Sequence, residues 1–148
     1  MIRDYRPADH EPLLDLWQEA WQATLPEIDF AARRPGFSDR LAGMVAGGIR
    51  LRVAVDAADA ATGFYTLDTT GYLDQVAVAR AAQGSGVAHA LLDDAKSLSP
   101  GDLSLRVNQK NHRAIRFYER EGFQRGAADV SEASGLPLWW YHWPGIGP

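Results

Sequence analysis

Apolar positions fall in two rhythms along this chain. Between residues 11 and 25, Leu13, Leu14, Trp17, Ala20, Trp21 and Leu25 recur every three or four places, which is the spacing of one face of an α-helix. Asp9 is placed to cap its start, and Pro12 suits the first turn. From residue 49 the rhythm becomes two. Ile49, Leu51, Val53 and Val55 alternate with Arg50 and Arg52, as in a strand with one buried face. Further strands are expected at residues 2–6 (ended by Pro7), 63–68, 72–78 and 103–107, and further helices at 38–46, 87–98 and 111–121. Ser38 reads as an N-cap and Gly47-Gly48 as a stop. Residues 26–37 hold two prolines and no clear period, so they read as loop. Ser99, Pro100, Gly101 and Asp102 close the helix at 87–98.

Three successive strands with short turns imply an antiparallel meander, and the strand–helix–strand run over residues 72–107 favours parallel, right-handed pairing. Two more strands are expected around a turn at Gly135-Leu136-Pro137. There Leu138, Trp140 and His142 share one face, and Trp139, Tyr141 and Trp143 the other. A cluster this aromatic suits a core edge, a dimer interface or a pocket wall. Trp17 and Trp21, one helical turn apart, read as core, with a pocket edge as the alternative. The outcome is an α/β (α+β) domain spanning residues 1–148, a mixed and mostly antiparallel sheet of about six or seven strands with about four helices on it.

Composition narrows the role. At 46% apolar and 23% charged residues the chain is an ordinary globular domain. No apolar run is long enough to span a membrane, and the N-terminus lacks a signal-peptide core. Without cysteine there is neither a disulfide nor a thiol nucleophile, which fits a cytoplasmic protein. A net charge of −4 argues against a nucleic-acid partner.

The stretch Gln83-Gly84-Ser85-Gly86-Val87-Ala88 lies between a strand and a helix. Two glycines allow a tight turn with bare N–H groups, and the helix that follows adds its unpaired N–H groups and positive dipole end, a setting for phosphate. No lysine or arginine falls inside it, so backbone is expected to do most of the binding. A dinucleotide fingerprint would need a small residue where His89 stands, and a triphosphate loop would need Gly-Lys-Ser/Thr. Farther on comes Asn111-His112-Arg113-Ala114-Ile115-Arg116-Phe117-Tyr118, then Gly122-Phe123.

Together these two stretches resemble the GCN5-related N-acetyltransferases, the GNAT superfamily. Gln83, Gly86 and Ala88 fit the family's pyrophosphate signature. Asn111, Ala114, Phe117, Tyr118, Gly122 and Phe123 fit its second signature. The resemblance is firm over residues 72–124. Arg80 departs from it, standing where many members carry proline, which leaves the turn less rigid. The resemblance implies acetyl transfer from acetyl-CoA, as co-substrate, to a primary amine. A small-molecule amine is the first expectation for the acceptor, and a protein N-terminus or lysine the second. A non-catalytic acyl-CoA sensor is the rival from another class. It further implies that the strands before and after the glycine loop's helix splay apart and that the cofactor's arm enters between them. Val76, Ala77 and Val78 would meet the cofactor there, together with Gln83, Gly84, Ser85, Gly86, Val87, Ala88 and Asn111, with Asn108 a further polar contact. Tyr118 would contact the cofactor and act as general acid.

Asp74 is the candidate base. On an alternating strand it shares a face with Tyr72, Val76 and Val78, and apolar neighbours would raise its pKa. An exposed strand-end aspartate is the alternative, and Glu19 and Asp68 are weaker candidates. Arg33, Arg34 and Arg40 read either as a solvated surface or as partners of an anionic acceptor. His10, His89, His112 and His142 show no metal-ligand spacing, so no metal is expected. Ser85 sits in Gly-Ser-Gly, but a hydrolase elbow needs glycines two residues to either side, where Gln83 and Val87 stand. A monomer and a homodimer both remain open.

Overall fold

The computed structural model describes residues 1–99 and 101–145, so Pro100 of the expected turn lies outside the described residues. The elements run β1 (Ile2–Asp4), α1 (His10–Thr24), α2 (Phe30–Ala46), β2 (Arg50–Val55), β3 (Ala61–Leu67), β4 (Leu73–Val78), α3 (Val87–Leu98), β5 (Leu103–Asn108), α4 (His112–Arg120), β6 (Gln124–Val130) and β7 (Pro137–Trp143). Short 3-10 turns precede α1 and the glycine loop. No helix among the described residues is long and apolar enough to cross a membrane.

The strands form two antiparallel sheets, β1-β2-β3-β4 and β5-β7-β6. They meet at a parallel bridge between Tyr72 and Ser104, where the Ser104 N–H donates to the Gly71 carbonyl at 2.9 Å. Beyond that point β4 and β5 part, as expected of the strands on either side of the glycine loop's helix. The cause lies in β4. Tyr65 of β3 faces Val76, but Leu67 faces Leu73, so β4 carries one extra residue. Such a bulge bends the strand and ends regular pairing. The Gln75 N–H donates to the Thr66 hydroxyl at 3.0 Å rather than to a ladder carbonyl. The bulge also corrects the expected alternation. Leu73 and Val76 now pack into the same core, and Asp74 no longer shares the face of Val76 and Val78.

Apolar side chains fill both faces of the first sheet. On one, Leu13, Leu14, Trp17, Phe37 and Leu41 of α1 and α2 cover Val53 and Phe64. On the other, Leu91 and Leu92 of α3 pack with Tyr65, Leu103, Ile115 and Tyr141. Each fully buried side chain of this kind contributes about 1.5–3 kcal/mol. Trp17 is therefore core, stacked on Phe37 at 4.1 Å. Trp139, Tyr141 and Trp143 also pack inward, so that face of β7 is a core edge.

Two local expectations change. The helix expected at residues 38–46 begins at Phe30, where Asp29 caps it by accepting the Ala32 N–H at 3.1 Å. Pro35 sits inside this helix and gives up the bond to the Ala31 carbonyl. Burial of Phe30 and Phe37 against Trp17 offsets that loss. Ser38 consequently caps nothing and meets His10 Nε2 at 2.8 Å. Asp9 precedes α1 but does not cap it, because its carboxylate takes Arg3 at 2.8 and 2.9 Å and the Arg6 N–H at 2.7 Å.

Candidate active site

The open side of the β4–β5 gap leads to a cavity of about 680 Å³, within the ~300–1,000 Å³ range of small-molecule sites. Val78, Gln83, Gly84, Gly86, Ala88, Asn108 and Asn111 line it, and Ala23 to Leu25 at the end of α1 close one wall. Gly84 and Gly86 hold φ of 78° and 89°, and no atom lies within 4 Å of where a Cβ would stand on either. The loop thus needs glycine for its backbone and leaves the space above it open. Gly86 is the N-cap of α3 and no side chain caps that helix, so its first N–H groups stand unpaired at the cavity.

The loop's side chains are placed unequally. Gln83 is fixed by Arg113 of α4, whose guanidinium donates to its Oε1 at 2.9 Å. Ser85 turns away, its hydroxyl donating to the Ala82 carbonyl, and neither it nor Val87 lines the cavity. Asn111 caps α4 by accepting the Ala114 N–H at 3.2 Å and still reaches the cavity. Asn108 accepts the Lys110 N–H at 2.8 Å and is buried at the end of β5.

Backbone alternation orients β4. The N–H groups of Ala79 and Gln75 both point toward β3, to the Thr62 carbonyl at 2.9 Å and to the Thr66 hydroxyl. The main-chain groups of Val76 and Val78 therefore turn the other way, into the gap. Those of Ala77 turn toward β3, and its side chain is buried under α1. Of these three, Val76 and Val78 present backbone to the gap and Ala77 does not.

Charge around the cavity was not legible within the loop. Arg80, Lys110, Arg113 and Arg120 all line it. They come from the turn before the loop, from the turn between β5 and α4, and from α4 itself, so the tertiary fold collects them. The one signal in the sequence was the seven-residue spacing of Arg113 and Arg120, which puts both on one face of α4. Arg80 also repays its departure from proline. Its N–H, which proline would lack, donates to Glu19 Oε1 at 3.1 Å and ties the turn to α1.

Tyr118 is only 9% exposed. Its ring packs against Phe123 at 5.7 Å and Phe117 at 5.4 Å, in the same core as Val76, Val78 and Val107. Burial pushes its phenol upward, so it keeps its proton throughout the neutral range. Among the described residues the Gln75 Oε1 atom is the one sealed side-chain nitrogen or oxygen without a partner. The Tyr118 hydroxyl bonds no described residue, and Tyr118 lies behind Phe117 and Ala114, which line the cavity, without lining it itself.

Asp74 is 13% exposed at its side chain and is ion-paired to Arg40 of α2. Its other oxygen accepts from Gln75 Nε2 at 3.3 Å. The apolar surroundings expected for this carboxylate are therefore absent, because the bulge swings it toward α2. Glu19 holds the Arg80 N–H, and Asp68 closes the β3–β4 turn through Thr70 and the Tyr72 N–H. His89, at the cavity edge, sits between Asp93 at 3.1 Å and Glu121 at 2.7 Å. Both ring nitrogens face carboxylates, an arrangement that ties α3 to the end of α4.

Comparison with known proteins agrees with this geometry. The profile of the acetyltransferase (GNAT) family matches residues 1–123. Peptidyl-lysine N-acetyltransferase YjaB of Salmonella typhimurium is 30% identical over 132 residues, covering 88% of each chain. The apo-form solution structure of YjaB from Escherichia coli superposes with a TM-score of 0.78 at 27% identity, over 99% of this chain and 98% of that one. A phosphinothricin acetyltransferase of Sinorhizobium meliloti, solved with AcCoA, shares the fold with a TM-score of 0.75 at 17% identity, over 99% and 89% of the two chains.

Proposed function

The chain belongs to the acetyltransferase (GNAT) family, and we propose that it moves the acetyl group of acetyl-CoA to the side-chain amine of a lysine in a polypeptide. It is an acyltransferase with acetyl-CoA as co-substrate. The observation that carries the reading is the V between β4 and β5, closed at Tyr72 and Ser104 and open at Val78 and Asn108 beside the glycine loop. The residues at its mouth suit a coenzyme bearing phosphates: unpaired helix N–H groups, two glycines with free space above them, and four cations.

The main-chain groups of Val76 and Val78 pair with the arm of the co-substrate, and a nearby N–H polarises the thioester oxygen. Asp74 receives a proton from the acceptor's ammonium, directly or through water, which frees the nitrogen lone pair for attack on the acetyl carbon. As the carbon–sulfur bond breaks, Tyr118 gives its proton to the sulfur, and the second proton shed by the new amide nitrogen restores the phenol through water. Lysine is favoured over a small-molecule amine because the YjaB proteins, alike over almost their whole length, are named for peptidyl-lysine. The experiment is to supply acetyl-CoA with a single-lysine peptide and, separately, with a panel of small primary amines, following free thiol and product mass. Faster turnover of the peptide supports the lysine reading. Turnover confined to small amines contradicts it.

A further inference from the structure

We propose that Arg40 is an internal stand-in for the acceptor's ammonium, occupying the seat on Asp74 until a cationic acceptor displaces it. The proposal rests on the reading of this chain as an amine acetyltransferase and adds how that amine is seated. Asp74 is nearly enclosed, with 13% of its side chain exposed, whereas Arg40 is 54% exposed. The cation is thus the mobile partner, a long side chain reaching in from α2 across the bulge of β4. Both carboxylate oxygens are engaged, one by Arg40 and one by Gln75 Nε2. An acceptor nitrogen cannot deliver a proton to this carboxylate while the guanidinium holds it.

A second observation points to a missing donor at the same place. Gln75 is nine-tenths buried, and its Oε1 is sealed without a partner while its Nε2 binds Asp74. Flipping the amide does not help, since it would set oxygen against a carboxylate. Buried acceptors are nearly always paired. Arg40 leaves this one unsatisfied. A primary ammonium carries three donors on one compact atom, so one seated on Asp74 keeps donors to offer the neighbouring Gln75 side chain. The carboxylate and the amide oxygen together select a cation, which runs against a role for Arg40 in holding an anionic acceptor.

The test compares wild type with Arg40→Gln and Arg40→Lys, using a single-lysine peptide and an alkyl primary amine. Removing the competing cation from a half-exposed pair should lower the acceptor KM about fivefold. The kcat and the KM for acetyl-CoA should stay near wild type. Arg40→Lys, which puts a primary ammonium on the seat, should leave the acceptor KM at or above the wild-type value. An acceptor KM that is unchanged or higher in Arg40→Gln overturns the proposal, and a rise would mark Arg40 as part of acceptor binding. If wild type itself turns over neither amine, the acceptor reading falls and this inference falls with it. Wild-type turnover with an unmoved KM defeats the inference alone.

Discussion

Arg113 Nη1 donates to Gln83 Oε1 at 2.9 Å, joining α4 to the glycine loop across thirty residues of sequence. The bond gives a loop with few side-chain contacts of its own a fixed position, and it keeps one cation at the cavity. Arg113→Ala should therefore lower acetyl-CoA affinity about tenfold, the worth of one charged contact plus the lost orientation of Gln83. Melting temperature should hardly change, because both groups are exposed. Calorimetric titration at two salt concentrations checks this: the variant should lose affinity and show a shallower salt dependence.

Two glycines with the same φ should respond oppositely. Gly86 has φ 89° and open space at its Cβ position, so Gly86→Asp should fold with a backbone cost of about 1 kcal/mol. It should nonetheless abolish acetyl-CoA binding, since the carboxylate enters the space and repels phosphate. Gly71 also has φ 89°, but a Cβ there would lie 2.1 Å from the Asp102 carbonyl, at the point where the two sheets join. Gly71→Ala should destabilise the fold by about 2–4 kcal/mol. Denaturant melts and a binding titration on both variants separate the two roles.

Asp9 offers a pH test. Arg3 holds its carboxyl below the usual range through a two-pronged hydrogen bond, against the opposing effect of burial and with help from the Arg6 N–H. A folded pKa below the unfolded value of about 3.9 means the stabilisation is complete above roughly pH 4. It is lost as pH falls through the folded value. Asp9→Asn should cost about 1–2 kcal/mol at neutral pH, solvent at the edge of the pair screening part of its strength. That corresponds to a melting temperature lower by about 2–8 °C. The gap between wild type and variant should shrink below pH 4, and melts from pH 7 to pH 3 would show it.

Helices and strands were legible wherever one period dominated. The Leu13–Trp17–Trp21 stripe, the alternation of β2 and the glycine loop all lie where the sequence places them. The early start of α2 was hidden because Pro35 signals a break. The helix there is held by tertiary contacts of Phe30 and Phe37, which local pattern does not report. The bulge at Asp74 was hidden for a similar reason. Only the pairing with β3 reveals the extra residue, and that residue decides which way Asp74 faces. The cation set was readable only in part, because Lys110, Arg113 and Arg120 lie close in sequence but Arg80 joins them through the fold. Gln83, Gly86 and Asn111 were readable because each answers a local backbone need as well as a ligand.

We propose that the Tyr118 phenol, in the core beside the β4–β5 gap with Tyr65 and Tyr141, supplies the proton to the leaving sulfur. Tyr118 has no hydrogen-bond partner among the described residues, keeps its proton because burial raises its pKa, and sits in the same core as the valines of the gap. Tyr118→Phe removes one oxygen and leaves the ring packing against Phe123 and Phe117 intact. The direct measurement is single-turnover acetylation of the best amine by wild type and Tyr118→Phe, with acetyl-CoA affinity determined alongside. Affinity should stay within about threefold and the chemical step should slow by roughly 10²-fold or more, the usual worth of a general acid. A chemical step at the wild-type rate in the phenylalanine variant would contradict the proposal.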